Sequence, residues 1–244
     1  MDKKIQVYLA GSMFCEADRM YNAYIAEKIR EAVGEDIDLY VPQENNSIND
    51  KTKCANSHDI FWGDYNRLQN CDIFIARIDG DIPPSGTSAE IGIMSQRRQN
   101  WERQLEYLLV ADNGKCGVEY IKNLYISNNG CAPMILGLCT DSRNPKRTYL
   151  EAKNELMKNE DYESQYCYFN LFTLGCIKVN GELATSVDEL ITKIKEQVNI
   201  RSGKLYIVEK VCSEVLWDVS SCRSYIEVLL KYSDGSTKVT REYA

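Results

Sequence analysis

Short apolar runs alternate along the chain with longer stretches in which apolar residues recur every three or four positions. The runs predict buried strands at residues 5–10, 39–41, 73–76 and 133–138, and residues 168–177 are expected to form a further strand or extended segment. The longer stretches predict amphipathic helices at residues 17–33, 57–70, 150–158 and 186–198, and from Ser88 onward. This alternation predicts an α/β fold: a doubly wound, mainly parallel sheet flanked by helices, flavodoxin-like or Rossmann-like.

The pattern changes after residue 199. Four short runs rich in β-branched and aromatic residues predict a small antiparallel β meander, at residues 205–208, 215–219, 225–232 and 237–243. We therefore expect an α/β domain over residues 1–199 and a β appendage over residues 204–244. Within the α/β domain, residues 101–132 are interpreted as an insertion, with further helix at 104–110 and 118–124 and two Asn-Gly turns.

Charge and cysteine usage exclude some classes of function. The 244 residues carry a net charge of -7 and a pI near 5.0, which argues against nucleic-acid binding because phosphate contacts need clustered Lys and Arg. The basic pair Arg97-Arg98 is expected on a solvated face. No segment has the apolar length of a membrane span, and the ten cysteines are scattered without Cys-x-x-Cys spacing. We expect a cytoplasmic protein with reduced thiols and no membrane partner.

A single histidine, His58, gives little support for a His-based metal site or for a Ser-His or Cys-His nucleophile. No metal or cofactor is therefore expected, and acid-base chemistry must fall to carboxylates or tyrosines.

Residues 79–92 form a predicted strand-to-helix corner that carries two carboxylates, Asp79 and Glu90. In open α/β sheets, ligands bind at the carboxyl ends of strands, so both lie where chemistry usually occurs. Glu90 has a second interpretation, because Thr87-Ser88-Ala89-Glu90 also fits a helix capping box. Asp64 is likewise open to two interpretations. It projects from the apolar side of its helix. It is either hydrogen-bonded at the core edge or leaning to solvent, or it faces a cavity where partial burial would fit it for proton donation.

Several short motifs, in their order and spacing, resemble those of the nucleoside 2-deoxyribosyltransferases over about residues 5–198. The matching segments are residues 7–14, 17–19, 78–80, 85–92, 140–143 and 170–172, together with Asp64 eight residues before Asp72. The resemblance implies a double-displacement glycosyl transfer between deoxynucleosides and free nucleobases. Glu90 would attack the anomeric carbon, Asp64 would protonate the departing base, and Tyr8 would steady the nucleophile.

The resemblance also suggests substrate-binding residues, with Asp79 as a helper. Gly11 and Gly86 would let the backbone approach the substrate, or serve only as turn glycines. Phe14 would pack on the base or in the core, and Gln43 would hydrogen-bond the base or remain a loop amide. Asn170 would reach the 5′-hydroxyl of a nucleoside in a neighbouring subunit, which implies a homo-oligomer.

One departure and two alternatives remain. Pro84 stands where the family usually carries an acidic residue, so the base preference is not carried over. The first alternative is an N-glycoside hydrolase of nucleosides or their 5′-monophosphates, and a monophosphate should require a basic residue near the first βα turn. The second is a nucleotide-sensing module that binds without turnover.

Overall fold

The computed structural model describes residues 4–49, 56–79, 84–140, 171–203, 207–212, 216–218, 223–232 and 237–243. By its internal contacts the chain divides into two compact units. The first holds a parallel sheet with its helices, and the second, from Lys195 onward, holds the end of the last helix and an antiparallel sheet. The predicted division between residues 199 and 204 stays a prediction.

The sheet of the first unit has five parallel strands in the order β2-β1-β3-β4-β5. They are β1 Ile5–Ala10, β2 Ile37–Tyr40, β3 Ile73–Arg77, β4 Met134–Leu138 and β5 Gly181–Ala184. Every residue of β3 and β4 is buried, as expected for central parallel strands that are covered on both faces. The predicted α/β fold with a doubly wound parallel sheet is confirmed.

The helices are α1 Glu16–Val33, a 3-10 turn Pro42–Glu44, α2 Asn46–Asn49, α3 Ser57–Asn70, α4 Ser85–Asp112, α5 Val118–Asn129, α6 Leu171–Asn180 and α7 Val187–Arg201. Side chains cap the first two long helices: Cys15 accepts a hydrogen bond from the Asp18 backbone, and Asn56 forms a capping box with Asp59. By contrast, α4 begins after Pro84 with no side-chain cap.

The expectation of a strand or extended segment at residues 168–177 is wrong for its described part, because residues 171–177 belong to α6. Leu174 and Ile177, three positions apart on this helix, are buried in the core cluster of the sheet. The fifth strand is instead β5, whose Gly181 pairs with Ile135 of β4. Burial of one helical face therefore overrode the β-branched and aromatic composition of this run. Residues 168–170 and the expected helix at 150–158 lie outside the described residues.

The stretch at residues 101–132, interpreted as an insertion, begins in the middle of helix α4 rather than at a new element. Helix α4 runs without a break to Asp112, where Asn113 ends it in the left-handed conformation with φ 50°, and α5 follows. Within the described residues, no helix is long and apolar enough to cross a membrane. The same part of the chain holds no group of three or more His, Cys, Asp or Glu side chains arranged to bind a metal ion.

The second unit contains the predicted meander. Its strands are β6 Ile207–Cys212, β7 Leu216–Asp218, β8 Arg223–Tyr232 and β9 Thr237–Tyr243. All pairings are antiparallel, and β8 pairs with each of the other three.

Candidate active site

A cluster of tyrosines and carboxylates lies at the point where the strand order of the sheet reverses. From β1 the chain leads through α1 to β2 on one side, whereas β3 and α4 lead to β4 on the other. Ligands of open α/β sheets bind at such a switch point, at the carboxyl ends of the strands. Tyr8 of β1 is in register with Tyr40 of β2 and Phe74 of β3, so the three rings share one face of the sheet.

Tyr8 connects the sheet to Glu90 on α4. The Tyr8 hydroxyl donates a hydrogen bond to Glu90 Oε1 at 2.6 Å, and the Tyr8 ring is held between Tyr40 and Phe74, with centroid distances of 5.1 and 5.5 Å. Glu90 is not a helix cap. Because α4 begins at Ser85, Thr87 to Glu90 already lie inside the helix, and the carboxylate faces the sheet.

Asp64 of α3 lies in the same cluster. Its Oδ1 accepts a hydrogen bond of 2.7 Å from the Tyr40 hydroxyl, and its side chain is half-buried. The Asp64 charge is close enough to contribute to the raised pKa values of Glu90 and Tyr8. Asp64 is therefore hydrogen-bonded at the edge of the core, the first of its two interpretations, and lies near Glu90.

Burial dominates the electrostatics of this cluster. Desolvation raises the pKa of Glu90 to about 7; the Tyr8 hydrogen bond opposes this rise and the Asp64 charge adds to it. Desolvation also raises the pKa of Asp64, against the hydrogen bond from Tyr40 and the nearby Tyr8 hydroxyl. The pKa of Tyr8 is raised by burial and by the Glu90 charge, so Tyr8 remains a neutral donor. Two coupled carboxyls with displaced pKa values are typical of paired acid and nucleophile roles.

Asp79, at the end of β3, contacts the neighbouring strand connection rather than the tyrosines. Its Oδ1 accepts hydrogen bonds from the Thr140 backbone N at 2.5 Å and from Thr140 Oγ1 at 3.2 Å. Its Oδ2 is buried and has no hydrogen-bond partner among the described residues. That oxygen is the unused acceptor of this carboxylate, and residues 80–83, which follow Asp79, lie outside the described residues.

The two candidate glycines differ. A Cβ on Gly11 would lie 3.0 Å from Arg77 Nε and 3.1 Å from Asn22 Oδ1, so packing alone accounts for a glycine there. A Cβ on Gly86 would meet no atom of the described residues within 4 Å, so nothing in that part of the chain requires a glycine at this exposed position in the first turn of α4.

Phe14 is not a core aromatic, because 87% of it is exposed. The Gln43 amide is occupied within the protein: its Oε1 accepts from Asn22 Nδ2 at 3.1 Å, and its Nε2 donates to the Arg19 carbonyl at 3.0 Å. A base contact from Gln43 therefore stays a prediction, and the carboxylate cluster does not include it. Asn170 lies outside the described residues.

Two residues of the site were missed by sequence reasoning. Tyr40 ends β2 directly beside Tyr8, and cross-strand pairing of the predicted strands is the signal that could have found it. Arg77 ends β3; its Nη2 donates to Asp18 Oδ1 at 2.6 Å and to the Ser12 carbonyl at 2.9 Å. It ties the first βα turn to the centre of the sheet.

The part of the chain that carries this cluster matches a known family. The family model for nucleoside 2-deoxyribosyltransferase matches residues 7–123, a range that contains Tyr8, Asp64, Asp79 and Glu90 and reaches into the stretch interpreted as an insertion. No curated protein sequence matches the chain.

Two solved structures are similar. A conserved protein from Enterococcus faecalis V583 is 30% identical with a TM-score of 0.53, and the alignment covers 80% of this chain and 99% of that one. A 2-desoxiribosyltransferase from Leishmania mexicana is 18% identical with a TM-score of 0.44, over 80% of this chain and 98% of that one; this likeness is too distant to add weight. On the family match and the 30% identical relative, the chain belongs to the nucleoside 2-deoxyribosyltransferase family.

Proposed function

We propose that the protein transfers 2′-deoxyribose between nucleobases through a covalent deoxyribosyl-Glu90 intermediate. The observation that carries this proposal is the placement of the Glu90 carboxylate. It is largely buried at the switch point of the sheet, bonded by the Tyr8 hydroxyl at 2.6 Å and coupled to the carboxyl of Asp64. A glutamate that capped the helix, or one that faced solvent, would not lie against Tyr8 in this way.

The first half-reaction needs the two coupled carboxyls in opposite protonation states, with Glu90 ionised. Because burial raises the pKa of both carboxyls and that of Glu90 to about 7, their shared proton has to move to Asp64 when the substrate binds. An ionised Glu90 oxygen attacks the anomeric carbon of a 2′-deoxynucleoside while the bond from that carbon to the base nitrogen breaks, and its electron pair leaves with the base. Asp64, in its protonated form, donates its proton to the departing base. The Tyr8 hydrogen bond orients the attacking carboxylate, and the negative charge stabilises the oxocarbenium-like transition state.

The second half-reaction reverses these steps with another base. A nitrogen of the incoming base attacks the anomeric carbon, the ester bond to Glu90 breaks with its electron pair returning to the carboxylate, and Asp64 takes up the proton that the base loses. The raised pKa of Glu90 favours its attack as a nucleophile, and as a carboxylate it is still stable enough to leave in this step. No cofactor is needed for either step.

Other residues would serve the substrate. The exposed ring of Phe14 is available for stacking on a base. Gly86, whose Cβ position has no atom of the described residues within 4 Å, admits close approach of a ligand, and the buried Oδ2 of Asp79 offers an acceptor to a sugar hydroxyl. Asn170 of a neighbouring subunit would contact the 5′-hydroxyl, and we therefore propose a homo-oligomer. We propose a cytoplasmic location, in keeping with small-molecule substrates.

The hydrolase alternative for 5′-monophosphates requires a free basic residue near the first βα turn. Arg77 does lie there, but Asp18 neutralises it at 2.6 Å, and the Arg77 guanidinium holds the pKa of Asp18 down to about 2. The Arg77 cation is therefore already paired. Arg19, whose Nη1 donates to the Met13 and Phe14 carbonyls of the same turn at 3.2 Å, has no carboxylate partner among the described residues, so the 5′-monophosphate alternative is decided by the assay.

The test is an exchange reaction. Incubation with a deoxynucleoside and a different free base should yield the new deoxynucleoside, and mass spectrometry after incubation with the deoxynucleoside alone should show one deoxyribosyl group on the peptide containing Glu90. Glu90→Ala should abolish both results, whereas Glu106→Ala, at an exposed position of the same helix, should change neither. Exchange that persists in Glu90→Ala would overturn the covalent mechanism, and release of free sugar without exchange would establish a hydrolase.

A further inference from the structure

Tyr40 contacts Asp64 but belongs to none of the motifs that define the proposed chemistry. Its hydroxyl donates to Asp64 Oδ1 at 2.7 Å and receives a hydrogen bond of 2.9 Å from Asn45 Nδ2. Asn45, Tyr40 and Asp64 thus form a chain of side chains that ends at the proposed proton donor.

The direction of this chain follows from the Asn45 amide. Asn45 Oδ1 accepts from the backbone N of Ser47 at 3.1 Å, and a backbone N–H can only donate. That contact identifies the amide oxygen and leaves Asn45 Nδ2, a donor, facing Tyr40. The Tyr40 oxygen must therefore accept from Asn45, and its single proton points to Asp64 Oδ1.

A carboxyl oxygen that already accepts a hydrogen bond from a neighbour is disfavoured as the site of the carboxyl group's own proton. When Asp64 is protonated, its own proton is therefore expected on Oδ2. We propose that Tyr40 is a positioning residue that keeps the acidic proton of Asp64 on Oδ2, the oxygen not bonded to Tyr40, for delivery to the departing base. The proposal rests on the proposed function for one point, that the departing base accepts the proton of Asp64. The hydrogen-bond chain from Asn45 to Asp64 is independent of that function.

The groups that face Asp64 come from every described element packed against it. They are Tyr8 of β1, Tyr40 of β2 and Glu90 of α4. Arg67, on the same helix as Asp64, lies 5.0 Å from the Tyr40 ring centroid and forms an ion pair with Asp38 at 3.3 Å. Of these, Glu90 is coupled to Asp64, and the Asp64 charge raises the pKa of Glu90. Burial disfavours ionisation of Asp64, whereas the hydrogen bond that Tyr40 donates favours it. Removal of the Tyr40 hydroxyl should therefore make Asp64 harder to ionise.

The experiment compares Tyr40→Phe with the wild type by NMR titration of protein labelled with 13C at the aspartate carboxyl carbons. The Asp64 signal is identified by its absence in Asp64→Asn. Phenylalanine keeps the ring beside Tyr8 and Arg67, and we expect the Asp64 midpoint to rise by about one pH unit, the effect of one lost hydrogen bond to a charged group. The matched control is Tyr125→Phe, which removes a 2.8 Å hydrogen bond to Gln104 on another part of the unit, and its Asp64 midpoint should not move.

A second variant, Asn45→Ala, frees the Tyr40 hydroxyl to rotate and should shift the midpoint in the same direction by less; it decides the question if Tyr40→Phe does not fold. In exchange assays the basic limb of kcat/KM should move to higher pH in Tyr40→Phe. An unchanged Asp64 midpoint, or an equal shift in the control, overturns the proposal. If the wild type shows no exchange, the proposed function fails while the NMR titration still tests the role of Tyr40 at Asp64.

Discussion

At the scale of single residues, the structure resolves the two interpretations of Glu90. A glutamate three residues after a possible N-cap, Thr87, is a reasonable capping residue by sequence, and only its environment shows otherwise. Because Tyr8 of β1 holds Oε1 at 2.6 Å, the carboxylate is withdrawn from water, and its ionisation opposes folding.

We predict that Glu90→Gln stabilises the protein at alkaline pH. The pKa of Glu90 is raised from 4.5 to about 7 in the folded state. Below pH 4.5 both states are protonated; between these values the unfolded chain ionises while the folded one does not, so the free energy of unfolding falls as pH rises. Above about pH 7 the full cost is present, about 3 kcal/mol, and a neutral glutamine avoids it.

Urea denaturation at pH 4 and pH 8 measures this effect. The variant should match the wild type at pH 4 and exceed its stability at pH 8, whereas Glu106→Gln on the exposed side should match at both. Equal stability of the Glu90→Gln variant and the wild type at pH 8 would show that the carboxylate is well solvated.

At the scale of elements, Arg97 joins the two helices that carry the carboxyls. The expectation of a solvated Arg97-Arg98 face is wrong, because both side chains are half-buried and Arg98 Nη1 donates to the Pro133 carbonyl at 3.2 Å. Arg97 Nη1 donates to the Leu68 carbonyl and, at 2.9 Å, to the Cys71 carbonyl. These carbonyls end α3, which carries Asp64, while α4 carries both Arg97 and Glu90. The terminal carbonyls of α3 find their partner on α4, so sequence periodicity within one helix could not reveal it.

We predict that Arg97→Met lowers the free energy of unfolding by about 2–3 kcal/mol, because two carbonyls lose a charged donor. Methionine has nearly the helix propensity of arginine, so the loss reports the contact between helices. Arg103→Met, at an exposed position of the same helix, should change stability by less than about 0.5 kcal/mol. Urea unfolding of both variants checks this, and an Arg97→Met curve that overlays the control would refute the role of Arg97.

At the scale of the whole first unit, the edge of the sheet is where sequence reasoning was least accurate. The run at residues 168–177 has strand-like composition, yet its described part is helical, and the short β5 that follows was not predicted. Strand β5 docks closely on β4: a Cβ on Gly181 would lie 1.7 Å from the Ile135 carbonyl oxygen. Backbone atoms cannot move aside as a flexible side chain can.

We predict that Gly181→Ala costs at least about 3 kcal/mol, because it forces β5 away from β4. Gly175→Ala is the control: it lies on α6, a Cβ there meets nothing within 4 Å, and alanine should be neutral or stabilising by about 0.5–1 kcal/mol. Thermal denaturation followed by circular dichroism distinguishes the two variants. A Gly181→Ala protein as stable as the wild type would mean that β5 is not held against β4 in this register.

Local pattern by itself determined much of this protein. Apolar runs and helical periodicity are properties of neighbouring residues, so they predicted β1 to β4, helices α1 and α3, the meander and the parallel α/β class. The order and spacing of short motifs pointed to the family and to Tyr8, Asp64 and Glu90.

What only the tertiary structure decided are the relations between distant segments. The bond from Tyr8 to Glu90 joins residues 82 positions apart. Three other relations likewise depend on how elements pack. Tyr40 bonds to Asp64, Arg97 bonds to the last carbonyls of α3, and β5 pairs with β4. Burial and hydrogen-bond direction are set when separate elements exclude water from one space, and no local pattern of polar and apolar residues encodes them.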